Sequence, residues 1–172
     1  MENLQIRLAK VSDAPQIAKV HVETWHFAYR GQLPDSLLDS LSVERRTKFW
    51  QGALSNPNNP GTVWVAEEGK EVIGFCSVGM SEDDDRKPET GQLYAIYVDP
   101  IDMGKGVGSQ LITKGLQTLK QKGLKEATLW VLDTNKKTRR FYENRGWKED
   151  GAKKTEVLAG FDLHEVRYRI TL

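Results

Sequence analysis

Tyr97-Val98-Asp99-Pro100-Ile101-Asp102-Met103-Gly104-Lys105-Gly106-Val107-Gly108-Ser109 is the stretch on which the reading of this chain turns. An apolar strand, Gln92 to Val98, runs into Pro100. Three glycines follow within five residues, and a helix with apolar periodicity begins at once, from about Val107 to Lys122. Glycine takes positive φ without strain and lets a ligand approach the backbone. The first amides of a helix have no acceptor within it, and the helix dipole adds partial positive charge there. Strand, glycine turn and helix start together make an anion site suited to a pyrophosphate. Gly108-Ser109-Gln110 lacks the lysine of a nucleotide-triphosphate loop, and Ser109 stands where a dinucleotide fingerprint needs its third glycine. On the glycines alone, a turn without any ligand remains an alternative.

Working outward, the elements alternate. Leu4, Ile6 and Leu8 read as a strand, and Ser12 or Asp13 can cap a helix that runs to about Tyr29 and stops at Gly31. Ile17, Val20, Thr24 and Ala28 make its apolar stripe. A second helical stretch is expected from about Asp35 to Leu54, then a Pro- and Gly-punctuated loop from Ser55 to Gly61. Thr62 to Glu67 and Glu71 to Val78 form a hairpin, and Ser81 to Glu89 is a charged loop. After the glycine turn and its helix come a strand (Glu126 to Leu132), a helix (Asn135 to Arg145), and strands near Trp147 to Glu156 and Phe161 to Ile170. Antiparallel hairpins flanking one β-α-β unit predict an α/β (α+β) fold, a mixed central sheet with helices on both faces.

The 172 residues point to one domain spanning 1–172. With 25 basic and 24 acidic residues the net charge is +1, so nothing recommends nucleic acid or a membrane surface as partner. The amino terminus lacks a signal-peptide pattern and no run of about 18 apolar residues occurs, which makes the cytoplasm the expected address. Cys76, the single cysteine, lies in the apolar run Val72 to Val78 and reads as a core residue.

A second constellation joins the first. Asn135-Lys136-Lys137-Thr138-Arg139-Arg140-Phe141-Tyr142-Glu143-Asn144-Arg145-Gly146-Trp147 opens a helix with Asn and closes it with Gly. Asn135 and Tyr142, seven apart, share one face. Taken with the glycine turn, the chain resembles the GCN5-related N-acetyltransferase (GNAT) superfamily. That family's cofactor loop looks like Arg/Gln-x-x-Gly-x-Gly/Ala and its later helix like Asn-x-x-Ala-x-x-Phe-Tyr-x-x-x-Gly-Phe. Gly106, Gly108, Asn135, Phe141, Tyr142 and Gly146 match in order and spacing. Met103 departs from the Arg or Gln, Thr138 from the Ala and Trp147 from the Phe.

The resemblance implies a GNAT-like fold and an N-acetyltransferase that uses acetyl-CoA as donor, without a metal. It implies that the loop Met103, Gly104, Lys105, Gly106, Val107, Gly108 and Ser109 gives amides to the pyrophosphate. Ile96, Tyr97 and Val98 would pair with the pantetheine arm like an added strand. Asn135 would hold the arm, with Thr138 beside it, and Lys105, Lys136, Lys137, Arg139 and Arg140 would meet the outer phosphate. Tyr142 would protonate the departing thiolate, and the Val98 amide would polarise the thioester carbonyl. The acceptor is expected to be an amine of a small molecule or peptide. A non-catalytic acetyl-CoA sensor or interaction module on the same fold is the alternative.

The base is open: Gln92 stands where an acid is common in the family, and His21, Glu23 and His26 are the other candidates. Glu23 to Gly31 also resembles the Trp-x-x-Ala-Tyr-x-Gly pattern of members with small acceptors, so Trp25, Tyr29 and Tyr94 are expected to wall an acceptor pocket. Many relatives are dimers, and alternation in Glu165 to Ile170 predicts edge pairing of the C-terminal strand in a homodimer.

Overall fold

The structure is a computed structural model that describes residues 4–59 and 61–172. Seven strands, β1 (Leu4–Leu8), β2 (Thr62–Glu68), β3 (Glu71–Met80), β4 (Thr90–Val98), β5 (Glu126–Leu132), β6 (Lys148–Leu158) and β7 (Phe161–Thr171), form one sheet of order β1-β2-β3-β4-β5-β7-β6. All neighbours are antiparallel except β4 and β5, which α4 (Val107–Gln121) connects as a parallel crossover. Helices α1 (Ala14–Tyr29), α2 (Asp35–Asp39), α3 (Val43–Ser55) and α5 (Lys136–Glu143) complete the layers.

Period-2 alternation assigns each strand two faces. One face packs under α4 and α5: Val107, Leu111, Ile112, Leu119 and Tyr142 meet Cys76, Val78, Leu93, Leu129, Val131, Val166 and Tyr168. The other packs under α1 and α3, where Ile17, Val20 and Trp50 meet Val63, Val65 and Phe75. A third cluster joins the end of α1 to α2, β5 and β7 through Tyr29, Leu37, Leu38, Leu132 and Leu163. Among the described residues no helix is long and apolar enough to cross a membrane.

Several expectations change. The stretch expected as one helix to Leu54 breaks after Asp39, because Ser42 takes an extended conformation and its hydroxyl caps α3 by accepting from the Arg45 amide (3.2 Å). Asp13 does not cap α1 with its carboxylate; it is buried and holds the Arg7 guanidinium (2.7 and 3.0 Å) and the Lys10 amide (2.7 Å). Asn135 lies outside α5 as its cap, and the helix ends at Glu143. The C-terminal strand is not an edge: β7 sits between β5 and β6, so both its sides are paired and the edge-pairing argument for a homodimer fails. Cys76 is fully buried, donates its thiol to the Leu111 carbonyl (3.3 Å), and burial pushes its pKa up to about 12.

The feature that positions a site is a parting of strands. β4 and β5 pair only where Thr90, Gly91 and Gln92 face Glu126, Ala127 and Thr128. At the next step β4 bulges against β3, since Ser77 faces Ala95 while Val78 faces Leu93, leaving Tyr94 as the extra residue. A bulge bends its strand and raises the local twist, so β4 turns away from β5 and the sheet opens.

Candidate active site

A cleft of about 960 Å³ fills the gap between β4 and β5 and reaches both faces of the sheet. Its end on the α4/α5 face is built by the glycine turn. Gly104 and Gly106 have φ of +80° and +87°, and a Cβ at either would meet nothing within 4 Å, so the backbone faces open space. Gly106 is the N-cap of α4, and the first intrahelical bond runs from the Gln110 amide to its carbonyl (3.2 Å). The amides of Val107, Gly108 and Ser109 therefore lack helical acceptors at the positive end of the dipole. A Cβ on Gly108 would stand 3.4 Å from the Phe141 ring and 3.7 Å from Val98.

The strand Ile96-Tyr97-Val98 divides by alternation. The Asp99 amide donates to the Ile73 carbonyl (2.8 Å), and Tyr97 faces Phe75 in the same ladder. In an antiparallel ladder the intervening residues point the other way. The polar backbone of Ile96 and Val98 is thus directed away from β3 toward the gap, whereas that of Tyr97 is spent on β3. The Thr24 hydroxyl donates to the Val98 carbonyl (3.0 Å), which leaves the Val98 amide as the free group of that residue. The Tyr97 side chain lies on the α1 face, where its hydroxyl accepts from the Trp25 indole N–H (3.1 Å).

Of the expected phosphate contacts, Met103, Gly104, Gly106, Gly108, Ser109, Lys136 and Lys137 line the cleft. The Lys105 ammonium is paired with Asp102 (2.7 Å), and the Val107 side chain is buried in the core, so each offers the site only its backbone. Arg139 is turned to the other side of α5, bonded to the Tyr168 hydroxyl (3.0 Å), the Asp133 carbonyl (3.0 Å) and Glu149 (2.8 Å); Arg140 does not line the cleft. The residue missed in the sequence is Arg145. Its guanidinium stacks on Phe141, 3.7 Å from the ring centre, and bonds both the Phe141 carbonyl (2.8 Å) and the Ser109 hydroxyl at the start of α4. This places a cation beside the turn where Met103 supplies none. The i,i+4 spacing of Phe141 and Arg145 was its only sequence signal.

Asn135 and Thr138 also line the cleft. The Asn135 side-chain oxygen accepts from the Thr138 amide (3.2 Å), and its nitrogen donates to the Tyr29 hydroxyl (3.3 Å), tying α5 to α1 across the gap. One amide hydrogen of Asn135 is left over. Tyr142 is 5% exposed, with its ring against Phe141, Trp147 and Tyr168. Its hydroxyl makes no hydrogen bond to a described residue, and burial pushes its pKa far above the ordinary phenol range. It therefore keeps its proton at neutral pH and lines the cleft as an uncommitted donor.

The end on the α1 face is aromatic and acidic. Trp25 and Tyr29 meet edge to face (4.9 Å), and Tyr94 lies over Gly79, so close that a Cβ there would overlap its ring. All three line the cleft, with Trp130 of β5, Lys154 and Glu156 of β6, and Leu163 and Glu165 of β7, which sequence reasoning did not find because strand order alone brings β5, β6 and β7 to this end. None of the three candidate bases lines it. His21 is buried against Tyr97, Trp25 and Phe75, with neither ring nitrogen bonded; the His26 ring bonds the Leu38 carbonyl (2.8 Å); Glu23 is half-buried and pairs with Lys19 (3.9 Å). Gln92 lines the cleft, but its side-chain oxygen accepts from the Glu82 amide (2.9 Å). Among the described residues, no three His, Cys, Asp or Glu side chains are grouped to hold a metal ion.

The profile of the acetyltransferase (GNAT) family matches residues 21–147, from within α1 to the Trp that follows α5. The chain belongs to the GNAT family. A probable N-acetyltransferase of Mycobacterium tuberculosis is 29% identical over 98% of this chain and 94% of its own length. An uncharacterized N-acetyltransferase of Bacillus subtilis is 33% identical over 76% of this chain and 72% of its own. Among solved structures, the PaiA N-acetyltransferase of Thermoplasma acidophilum, in complex with coenzyme A, superposes with a TM-score of 0.77 at 21% identity, covering 99% of each chain. YncA of Salmonella typhimurium, solved with acetyl-CoA, gives 0.72 at 21% identity over 99% of this chain and 94% of its own. At such identities the likeness is one of GNAT fold, and it extends over the whole sheet including β6 and β7, beyond the profile match.

Proposed function

We propose that this GNAT protein moves the acetyl group of acetyl-CoA directly to an amine of a small molecule or peptide, with donor and acceptor held together in the cleft. The observation that carries this reading is a cleft passing between β4 and β5 with chemically opposite ends: free helix amides and three cations on one face, aromatic rings and carboxylates on the other. Bound acetyl-CoA supplies an activated thioester carbon.

The residues present fit such a donor. The amides of Val107, Gly108 and Ser109, with Arg145, Lys136 and Lys137, would hold its phosphates. The backbone of Ile96 and the Val98 amide face the gap and would pair with the arm as a missing strand does. The Val98 amide is also placed to stabilise charge on a carbonyl oxygen. Tyr142 is a proton donor with no competing partner. Direct transfer is favoured over a covalent acyl-enzyme because Cys76 lies in the core, protonated and bonded to Leu111. A sensor without turnover gains nothing from a second, acid-lined end, so the catalytic reading is preferred.

The test is calorimetric titration of acetyl-CoA into Gly108 variants. Since the Cβ contact at 108 is an ordinary one, Gly108→Ala should fold and bind near the parent level. Gly108→Glu projects bulk and negative charge between Phe141 and Val98, and affinity should fall roughly a hundredfold or more, about 2.7 kcal/mol at least. Unchanged affinity in a folded Gly108→Glu protein would overturn the assignment.

A further inference from the structure

We propose that Glu165 binds the ammonium of the acceptor, and that the acceptor is a primary amine on an apolar or aromatic stem. The inference rests on the acetyl-transfer reading and names the substrate class of the same cleft. On β7, Leu163, Glu165 and Arg167 alternate onto the α1 face of the sheet. Arg167 is fully engaged by Asp85 (2.6 and 2.7 Å) and Asp150 (2.8 Å), so it gives Glu165 no counter-charge. Glu165 pairs in register with Leu132, at the end of β5 where the cleft opens, and its side chain is 17% exposed. Its Oε2 is buried, and the Lys154 ammonium stands 3.2 Å from it as an ion-pair partner. Burial raises the carboxyl pKa, and the Lys154 ammonium opposes that rise, so a cation at this position is what the buried acid requires.

Lys154 shows what the site accepts. Its Nζ lies 3.2 Å from Glu165, 3.8 Å from Glu156 and 4.7 Å from the centre of the Trp130 ring. That is a primary ammonium between carboxylates and over an indole face, an arrangement that favours organic ammonium ions. Lys154 comes from the edge strand β6, its side chain is 40% exposed, and its flexible stem can leave for solvent at little cost. It is the internal stand-in that an acceptor ammonium displaces. Beside Glu165 the wall is apolar, formed by Leu163, Trp25 and Tyr29, which suits a hydrocarbon or aromatic stem rather than a chain of further cations.

The experiment uses the full chain saturated with coenzyme A, so that no turnover occurs, and titrates 2-phenylethylamine, its uncharged counterpart 2-phenylethanol, and spermidine. The parent should bind 2-phenylethylamine about tenfold or more tighter than the alcohol, as expected for a charge-assisted contact. Glu165→Gln should lower amine affinity to the level of the alcohol while coenzyme A affinity stays at the parent value and the melting temperature does not fall. Lys154→Met should tighten amine binding several-fold, because it removes the internal competitor. Amine binding unaffected by Glu165→Gln, equal binding of amine and alcohol, or weaker binding in Lys154→Met would each overturn the proposal; a roughly tenfold preference for spermidine would overturn the apolar stem. Failure of coenzyme A itself to bind would instead sink the acetyl-transfer reading, so the two failures are told apart.

Discussion

Replacing Tyr142 by Phe deletes one atom from a site whose surroundings the structure defines closely. The ring is 5% exposed and packs against Phe141, Trp147 and Tyr168, contacts that Phe keeps. The hydroxyl has no partner among the described residues, so its removal orphans no buried group and the stability of the fold should change little. Coenzyme A binding should likewise be near the parent value. The chemical step loses its proton donor, and a positioned acid is worth on the order of a hundredfold or more. That corresponds to about 2.7 kcal/mol on the barrier. Tyr142→Ala separates packing from chemistry: it leaves a cavity under α5 and should cost about 3–5 kcal/mol of stability in addition to activity. The assay is a single-turnover rate by rapid quench at saturating acetyl-CoA, because slow product release can hide the effect in steady state. A Phe variant that matches the parent under single-turnover conditions, with melting unchanged, would remove Tyr142 from the chemistry and leave it a packing residue.

Two further outcomes follow from specific contacts. Arg145→Met keeps an apolar stem over Phe141 but loses the guanidinium at the start of α4; calorimetry should show roughly tenfold weaker acetyl-CoA binding and a shallower dependence on salt, whereas parent-like affinity at low salt would assign Arg145 to packing alone. Burial lowers the His21 pKa to about 3, against about 6.5 in an unfolded chain. Above pH 6.5 the ring is neutral in both states; below it only the unfolded chain takes the proton. Stability should therefore fall, by up to ~1.4 kcal/mol per pH unit, until the pH nears the folded value. His21→Leu should remove that contribution and two unbonded ring nitrogens together; urea midpoints at pH 7.5 and 5.0 that drop equally in variant and parent would refute the burial account.

The glycine-turn end of the cleft was legible because it is local. Strand, glycine turn and helix start lie within thirteen consecutive residues, and Asn135 caps the short helix that carries Tyr142, so residue type and spacing alone specify the backbone amides and the phenol. The sheet could be sketched for the same reason: alternation and turn residues fix strands and hairpins one at a time. What local pattern cannot fix is which strands become neighbours. The order β5-β7-β6 puts the C-terminal strand inside the sheet, which cancels the edge-pairing expectation and brings Glu165 beside Leu132. The bulge at Tyr94 and the parting of β4 from β5 are cooperative properties of the whole sheet, and they decide which amides of Ile96 to Val98 are free. Candidate bases chosen by residue type, His21, Glu23 and His26, do not line the cleft because helix rotation, set by the packing of α1, points them into the core, to Lys19 or to α2. The sequence by itself determined the backbone of the glycine-turn end of the cleft, since that backbone is contiguous; only the tertiary structure decided the opposite end, since its carboxylates, lysine and rings meet through strand order and the packing of α1.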